Sequence, residues 1–271
     1  MVTVNAVLTD PVELRSLARR GEWRGSTAGQ CPSYQQANLV VLPAALAAEF
    51  ASFCSRNPKP CPLIEILPPG EFRPALSAPA ADLRTDVPSY RVYESGELAD
   101  RPLDILALWR EDLTGFLLGC SHTFEHALAE AGVRLRHVEC GTTVPMFVSN
   151  LACVPAGRFH GPMVVTMRPV PAPRLPLVLE LSARYPHAHG LPLHVGDPAA
   201  IGIADLDRPD YGDPVALESG EVPVFWACGV TPQAVAREAR PELMIGHEPG
   251  RMFMTDLPRE AAPGVAAAGA G

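Results

Sequence analysis

Two segments of the sequence share one pattern, in which a short apolar run passes through glycine and cysteine into a run of helix-forming residues. In the first segment, residues 113–131, the turn is Gly119-Cys120-Ser121. In the second, residues 222–240, the turn contains Cys228-Gly229. Short strands that alternate with helices are typical of α/β folds. The chain is therefore predicted to have an α/β fold.

Hydrophobic periodicity, together with the positions of proline and glycine, predicts the remaining elements. The predicted helices are residues 11–20, 43–54, 122–131 and 232–240, and the predicted strands are residues 63–67, 90–93, 113–118, 133–140, 146–154, 163–168, 175–181 and 222–228. The middle of the chain is thus predicted to be rich in strands.

The strand-rich middle predicts a second lobe. We expect residues 113–189 to form a smaller sheet-rich lobe, and residues 1–112 and 190–260 to form a discontinuous main α/β domain. The tail, residues 261–271, has neither charge nor large apolar side chains and is predicted to be disordered.

Charge and composition exclude several classes of partner. The net charge is −8 and the longest basic run is Arg19-Arg20, so nucleic acid is not an expected partner. Apolar stretches such as residues 38–50 are too short to cross a membrane, and residues 1–24 lack an apolar signal core, which predicts a cytoplasmic protein. The seven cysteines form no CxxC pair, so we expect neither a disulfide framework nor structural zinc.

The two turns place cysteines and hydroxyls at helix N-termini. Free backbone N–H groups and the helix dipole favour an anion there and lower the pKa of a thiol. The residues predicted to bind a carboxylate or to present a thiolate are Cys120, Ser121, Cys228, Gly229 and Thr231. The alternative is that Ser121 and Thr231 cap their helices, with Glu125 as an ordinary first-turn carboxylate. The sequence leaves both interpretations open.

Three histidines, His187, His189 and His194, lie within eight residues. A metal site needs converging ligands, but Gly190 and Pro192 interrupt any regular element between these histidines. We therefore expect no metal. His189 or His194 is assigned as a general acid, a general base or a substrate donor, with a structural role as the alternative.

Few cations are placed to hold a substrate carboxylate. Arginine matches a carboxylate with two hydrogen bonds, and Arg84 and Arg168 are the candidates. Lys59, the only lysine, lies between two prolines on a stiff segment and is a further anchor, with a solvated lysine as the alternative. No phosphate loop, dinucleotide-binding glycine motif or GxSxG elbow occurs, so neither ATP nor another cofactor is expected.

Nine short strings resemble the D-glutamate cyclase family, many bacterial members of which are labelled hydro-lyases. The strings are GEWRG at 21–25, QANL at 36–39, NPKPCPL at 57–63, RTDVP at 84–88, GCS at 119–121, MRP at 167–169, HVG at 194–196, FWACGVTPQ at 225–233 and HEPG at 247–250. The resemblance covers roughly residues 13–257.

This resemblance implies a fold and an activity. The implied fold has a three-layer α/β/α portion and a smaller two-layer α+β portion, with mixed sheets. The implied activity is that of a hydro-lyase, which closes D-glutamate to 5-oxo-D-proline with loss of water and without ATP. The partner is then a small anionic metabolite, and a homo-oligomer is the common arrangement. His122 and Thr123 stand where the family more often has an aromatic residue and a serine, which leaves substrate choice open.

For this reaction the residues receive roles. Glu125 or His194 is assigned as the acid–base group, Arg168 and Lys59 as carboxylate anchors, the N–H groups near Ser121 and Gly229 as oxyanion donors, and His189 and Thr231 as further substrate contacts. A thioester on Cys120 or Cys228 is the covalent alternative. Two other functions stay open, a cysteine-dependent amidase or acyltransferase and a non-catalytic carboxylate-binding protein.

Overall fold

The computed structural model describes residues 7–261. Its strands are β1 (Tyr34–Pro43), β2 (Leu63–Ile66), β3 (Tyr90–Glu94), β4 (Glu97–Asp100), β5 (Leu113–Gly119), β6 (Met146–Ala152), β7 (Pro162–Pro171), β8 (His194–Val195), β9 (Glu221–Ala227), β10 (Leu243–His247) and β11 (Phe253–Pro258). Its α-helices are α1 (Pro11–Arg19), α2 (Ala47–Arg56), α3 (His122–Glu130), α4 (Arg136–Glu139), α5 (Leu175–Ala183) and α6 (Thr231–Ala239). The predicted disordered tail lies outside the described residues, apart from Ala261.

The larger sheet is built around β1. Its strand order is β2-β5-β1-β10-β3-β4, and β11 pairs with the first half of β1. Leu39 and Val41 of β1 pack into the core on one face, and Val40 and Leu42 pack into the core on the other. The sequence of a strand that is buried on both faces is a continuous apolar run, without the alternation of apolar and polar residues that marks a half-buried strand. This explains why the sequence pattern at residues 38–43 did not predict a strand.

The two faces of the larger sheet are covered differently. Helices α2 and α6 cover one face, with Phe50, Phe53 and Val235 in its core. The irregular segment at residues 67–87 covers the other face. Prolines recur in this segment, and each removes a backbone donor that a helix needs, so the chain crosses the sheet as turns.

The smaller sheet has the order β6-β7-β9-β8. Helices α3 and α5 pack on one face, where Phe124, Val178 and Trp226 belong to one core cluster. A second cluster that includes Phe147 and Ile201 covers the other face. Sheets with packed helices confirm the predicted α/β class, but every described strand pair is antiparallel, so the expectation of mixed strand directions is corrected.

The division between the two sheets does not follow the predicted lobe boundaries. β5 belongs to the larger sheet, where it pairs with β1 from Ala37↔Gly119 to Pro43↔Leu113. β8 and β9 belong to the smaller sheet. Strand pairing is decided by contacts distant in sequence, which local patterns do not contain. The division into separate domains stays a prediction.

Two predicted strands are helices. Residues 175–181 form most of α5, and the segment 133–140 contains α4. In α5, leucine and glutamate favour the helix and Pro176 lies in its first turn, where the missing N–H costs nothing. A short apolar run is ambiguous between a strand and a buried helix, and here the helix packs on the smaller sheet.

Among residues 7–261, no helix combines the length and apolarity needed to cross a membrane.

Candidate active site

The two turns predicted from the sequence lie side by side and are joined by Asn38. This residue follows Ala37, which pairs with Gly119 at the end of β5. The Asn38 side-chain Nδ2 donates a hydrogen bond to the carbonyl oxygen of Gly119, at 2.7 Å. A Cβ atom added to Gly229 would lie 2.0 Å from the same Nδ2, so the second turn packs directly on this amide. Asn38 was not singled out in the sequence, although it lies in one of the family strings.

Arg168, Glu125 and Ser121 meet behind the first turn and are all buried. Arg168 Nε donates to Glu125 Oε1 at 2.9 Å, and its Nη2 donates to Ser121 Oγ at 2.8 Å and also to Glu125 Oε1. Its Nη1 donates to Thr166 Oγ1 at 3.1 Å. The guanidinium is therefore held by protein groups, which is a correction to its assignment as a substrate anchor.

Glu125 stays a carboxylate at neutral pH. Burial by itself raises the pKa of Glu125, but its contacts with His137 and Arg168 outweigh burial and hold the pKa well below its ordinary value. His137, which the sequence did not single out, places its Nε2 3.0 Å from Glu125 Oε1. An acid must hold a proton near pH 7, so Glu125 is not the acid of a reaction at this site.

Replacing Arg168 with methionine is expected to destabilise the protein by about 3–5 kcal/mol, because the Glu125 carboxylate is left buried without its cation. The measurement is the free energy of unfolding in urea. The double variant R168M/E125Q removes the orphaned charge and should be less destabilised than R168M alone. As a control, R134M breaks an exposed pair with Glu139 and should change stability by less than about 1 kcal/mol. An R168M variant as stable as the parent contradicts this account.

The cysteines of both turns are protonated thiols. Burial raises the pKa of Cys120, and it raises the pKa of Cys228 to about 11. The helix N-termini were expected to lower these values, but desolvation of a fully buried thiolate is the larger effect. A thiolate nucleophile, which the amidase and thioester alternatives require, is therefore not supported by this geometry.

The hydroxyls of the two turns have different partners. Thr231 Oγ1 donates to the Cys228 carbonyl oxygen at 2.7 Å and accepts from Val164 N at 3.0 Å, so it ties the start of α6 to β7. Ser121 makes no side-chain capping bond to its helix and instead accepts from Arg168. The capping alternative thus does not apply to Ser121.

His189 and Lys59 form a second group, which covers the first turn. His189 Nδ1 lies 2.6 Å from the Lys59 carbonyl oxygen. Because a carbonyl oxygen only accepts, Nδ1 carries the proton and Nε2 of the neutral ring has a free lone pair. Burial lowers the pKa of His189 to about 4, so this ring is neutral at pH 7. Its backbone φ is 78°, a left-handed value that is costly for a side-chain-bearing residue and is often found at functional sites.

The Lys59 side chain contacts the loop that contains His187, His189 and Leu191. Its half-buried ammonium donates to the Leu191 carbonyl oxygen at 2.7 Å, and burial lowers the pKa of Lys59. The loop crosses the first turn so closely that a Cβ atom on Gly119 would lie 1.7 Å from the His187 carbonyl oxygen. The structure thus brings the segments that bear Lys59 and His189, both predicted from the sequence, to the turn that begins at Gly119.

Two candidates from the sequence do not join this cluster. His194 lies on β8, opposite Phe225, and its Nε2 lies 2.7 Å from the Asp197 carbonyl oxygen. Arg84 is paired with Asp82, two residues away, through two hydrogen bonds. His194 thus lies on the edge strand of the smaller sheet, and its assignment as the acid–base group stays a prediction.

Two further buried histidines line the junction. His122, at the start of α3, places Nδ1 3.3 Å from Gln36 Oε1. His247, at the end of β10, accepts a hydrogen bond at Nδ1 from the backbone N–H of Leu39, at 3.4 Å. Burial lowers the pKa of each ring to about 4. The sequence showed His122 only as a departure from the family, and the functional signal of His247 was limited to its presence in the string HEPG.

Comparison with known proteins agrees with the resemblance seen in the sequence. The family model described as D-glutamate cyclase matches residues 114–256. A "Putative hydro-lyase" of Rubrobacter xylanophilus is 59% identical and covers 90% of this chain and 94% of its own length. The equivalently named proteins of Geobacillus kaustophilus and Bacillus subtilis are 55% and 51% identical, over 90% and 93% of this chain and 93% and 98% of their own lengths.

A solved structure, the nitrogen repressor-like protein MJ0159 from Methanococcus jannaschii, aligns with 90% of this chain and 98% of its own length. Its TM-score is 0.39 and its identity is 8%, values too low to support an argument. The sequence relatives do show the family, because several of them are more than 50% identical to this chain over about nine-tenths of its length. Because the family model also matches more than half of this chain, the chain belongs to the D-glutamate cyclase family.

Proposed function

We propose that this protein is a hydro-lyase that closes D-glutamate to 5-oxo-D-proline with loss of water and without ATP. The observation that carries the proposal is the contact of His189 with the Lys59 backbone above the first turn, which places a neutral imidazole with a free lone pair on the segment that bears the partly buried Lys59 ammonium. The family description and the relatives' names support the same reaction class.

The reaction needs only orientation and proton transfer. The α-amino nitrogen attacks the side-chain carboxyl carbon, a C–N bond forms, and a C–O bond breaks to release water. Two protons leave the ammonium nitrogen, and both end on the departing oxygen. Because amine and carboxyl belong to one molecule, a correctly oriented complex can supply roughly 7 kcal/mol or more of the barrier, without activation by ATP.

The residues divide these tasks. The Lys59 ammonium holds a substrate carboxylate, and the His189 Nε2 lone pair takes each proton from nitrogen and passes it to oxygen. The backbone N–H groups of Ser121 and Gly229 donate to no protein backbone or side-chain acceptor within residues 7–261, and they are the proposed oxyanion donors. Glu125 and Arg168 hold Ser121 and the start of α3 in place.

Purified, EDTA-treated protein is expected to convert D-glutamate to 5-oxo-D-proline in buffer without ATP, as measured by mass spectrometry and chiral chromatography. L-glutamate and D-glutamine serve as comparison substrates for stereochemistry and for the leaving group. If D-glutamate binds in calorimetry and no oxoproline forms, the protein is a carboxylate-binding protein and the proposed reaction is wrong.

The role of Lys59 is tested by replacing it with methionine. Loss of a charge-assisted hydrogen bond to the substrate carboxylate is worth about 1.5–3 kcal/mol, so KM for D-glutamate should rise by about 10-fold or more. The matched control is R56M, which removes an exposed cation at the end of α2 and should leave KM unchanged. An unchanged KM in the K59M variant removes Lys59 from the site.

A further inference from the structure

Nine buried side-chain nitrogen and oxygen atoms of the described residues have no hydrogen-bond partner, and one of them is Nε2 of His247, whose ring rests on β1 beside Asn38. The side chain is almost completely buried, with 1% of its surface exposed. A buried donor without a partner costs about 1–3 kcal/mol, so native structures rarely retain one without a function.

The protonation of this ring follows from its contacts. The backbone N–H of Leu39 donates to His247 Nδ1, so Nδ1 carries the lone pair and Nε2 carries the hydrogen. His189 has the opposite arrangement, since its Nδ1–H faces the Lys59 carbonyl oxygen and its Nε2 is the acceptor. Both rings are neutral at pH 7 because burial disfavours their charged forms. One ring thus offers an acceptor and the other a donor.

Two contacts place His247 beside the two turns. Its ring rests on the backbone of Leu39, the residue after Asn38, whose amide joins the two turns. Its carbonyl oxygen accepts a 2.8 Å hydrogen bond from Nε2 of Gln233, which lies in the first turn of α6.

The geometry points to His247 as a catalytic residue of the proposed cyclisation, with its Nε2–H donating a hydrogen bond to the carboxyl oxygen on which negative charge develops when the amine attacks. This inference rests on the proposed function. His247 transfers no proton: the bond changes and the two protons carried by His189 remain as described. A neutral imidazole N–H suits this task because it stabilises an oxyanion without forming a tight ion pair with the ground-state carboxylate.

The variant H247F removes the donor and keeps a ring in the site. We expect kcat for D-glutamate to fall by about 100-fold or more, as when one oxyanion donor is removed elsewhere, with KM changed by less than about 3-fold, because the bond strengthens only in the transition state. H247Q retains an amide N–H and should recover part of the lost kcat. H160F changes an exposed histidine and is the control. An H247F variant that is folded and retains the parent kcat overturns the proposal.

A second measurement uses the unmodified protein, so it does not depend on whether H247F folds. The ring nitrogens of ¹⁵N-histidine-labelled protein report the tautomer of each imidazole. We expect His247 to be the Nε2–H tautomer at pH 7, and its Nε2 resonance to shift when 5-oxo-D-proline or D-glutamate is added. An Nδ1–H tautomer, or no shift at a concentration that saturates binding, overturns the proposal. If the parent makes no oxoproline and the His247 resonance still shifts, the proposed reaction fails and the carboxylate contact of His247 stands.

Discussion

Acidification from pH 7 to pH 4 is expected to unfold this protein. The cause is the set of three buried histidines, His122, His189 and His247, whose pKa values burial lowers from 6.5 to about 4. The unfolded chain takes up these protons as the pH falls through 6.5, whereas the folded protein resists them until about pH 4. Stability from these groups is therefore fully present above pH 6.5 and is lost between pH 6.5 and pH 4.

The size of the effect follows from the same shifts. The pKa of each histidine falls from 6.5 to about 4, which at about 1.4 kcal/mol per pKa unit corresponds to roughly 3–4 kcal/mol, and three such groups total on the order of 10 kcal/mol. The whole free energy of unfolding of a protein is about 5–15 kcal/mol. The pKa of Glu125 is also lowered on folding, so protonation of Glu125 adds to the loss below pH 4.5.

The check is the urea midpoint, measured between pH 7.5 and pH 4.5. The variant H122F removes one of the three titrating rings, so the fall in stability between pH 6.5 and pH 4.5 should be about a third smaller than in the parent. H160Q, at an exposed position, should keep the parent's slope. A midpoint that stays constant from pH 7.5 to pH 5 shows that these histidines are not held neutral by burial.

Replacing Gly119 with alanine is expected to cost about 3 kcal/mol or more. The added Cβ would lie 1.7 Å from the His187 carbonyl oxygen and 2.9 Å from its carbonyl carbon, and backbone atoms cannot move aside as the end of a side chain can. Gly119 also pairs with Ala37 in the larger sheet, so the strand is held from its other side. Overpacking of this kind usually costs about 1–3 kcal/mol, and more where neighbours are fixed.

Urea unfolding of G119A measures this cost. Gly25→Ala is the matched control, because a Cβ there meets no atom within 4 Å and Gly25 has no left-handed φ. The activity of G119A is measured as well. If the added Cβ displaces the loop that contains His189 and the sheet stays folded, kcat falls without a large loss of stability. A loss of less than about 1 kcal/mol with full activity would show that this loop is not held against Gly119.

Elements with a clear local signal were predicted well. Helix α1 begins after Asp10, whose side chain accepts a hydrogen bond from Val12 N, and its position agrees with the predicted helix at residues 11–20. The two strand–turn–helix units at β5–α3 and β9–α6 were also predicted. These signals lie within a few residues of each other, so one sequence contains them completely.

Elements and properties set by distant contacts were missed. β1, which is the centre of the larger sheet, was not predicted, and α5 was predicted as a strand. The expected thiolates at Cys120 and Cys228 are thiols, because burial outweighs the helix N-terminus. Burial depends on which elements pack together, and that packing joins residues far apart in the chain.

The sequence by itself determined the family, the α/β class and the chemical types near the site: the turns, Lys59, His189 and Ser121. Only the tertiary structure decided which of these groups are charged and which partners they contact. Packing holds Arg168 on Glu125, places His194 on the edge strand β8 and brings Asn38 and His247 next to the two turns. The physical reason is that residue type sets which hydrogen bonds and charges a side chain can have, whereas burial and partners, which come from long-range packing, set which of them it has.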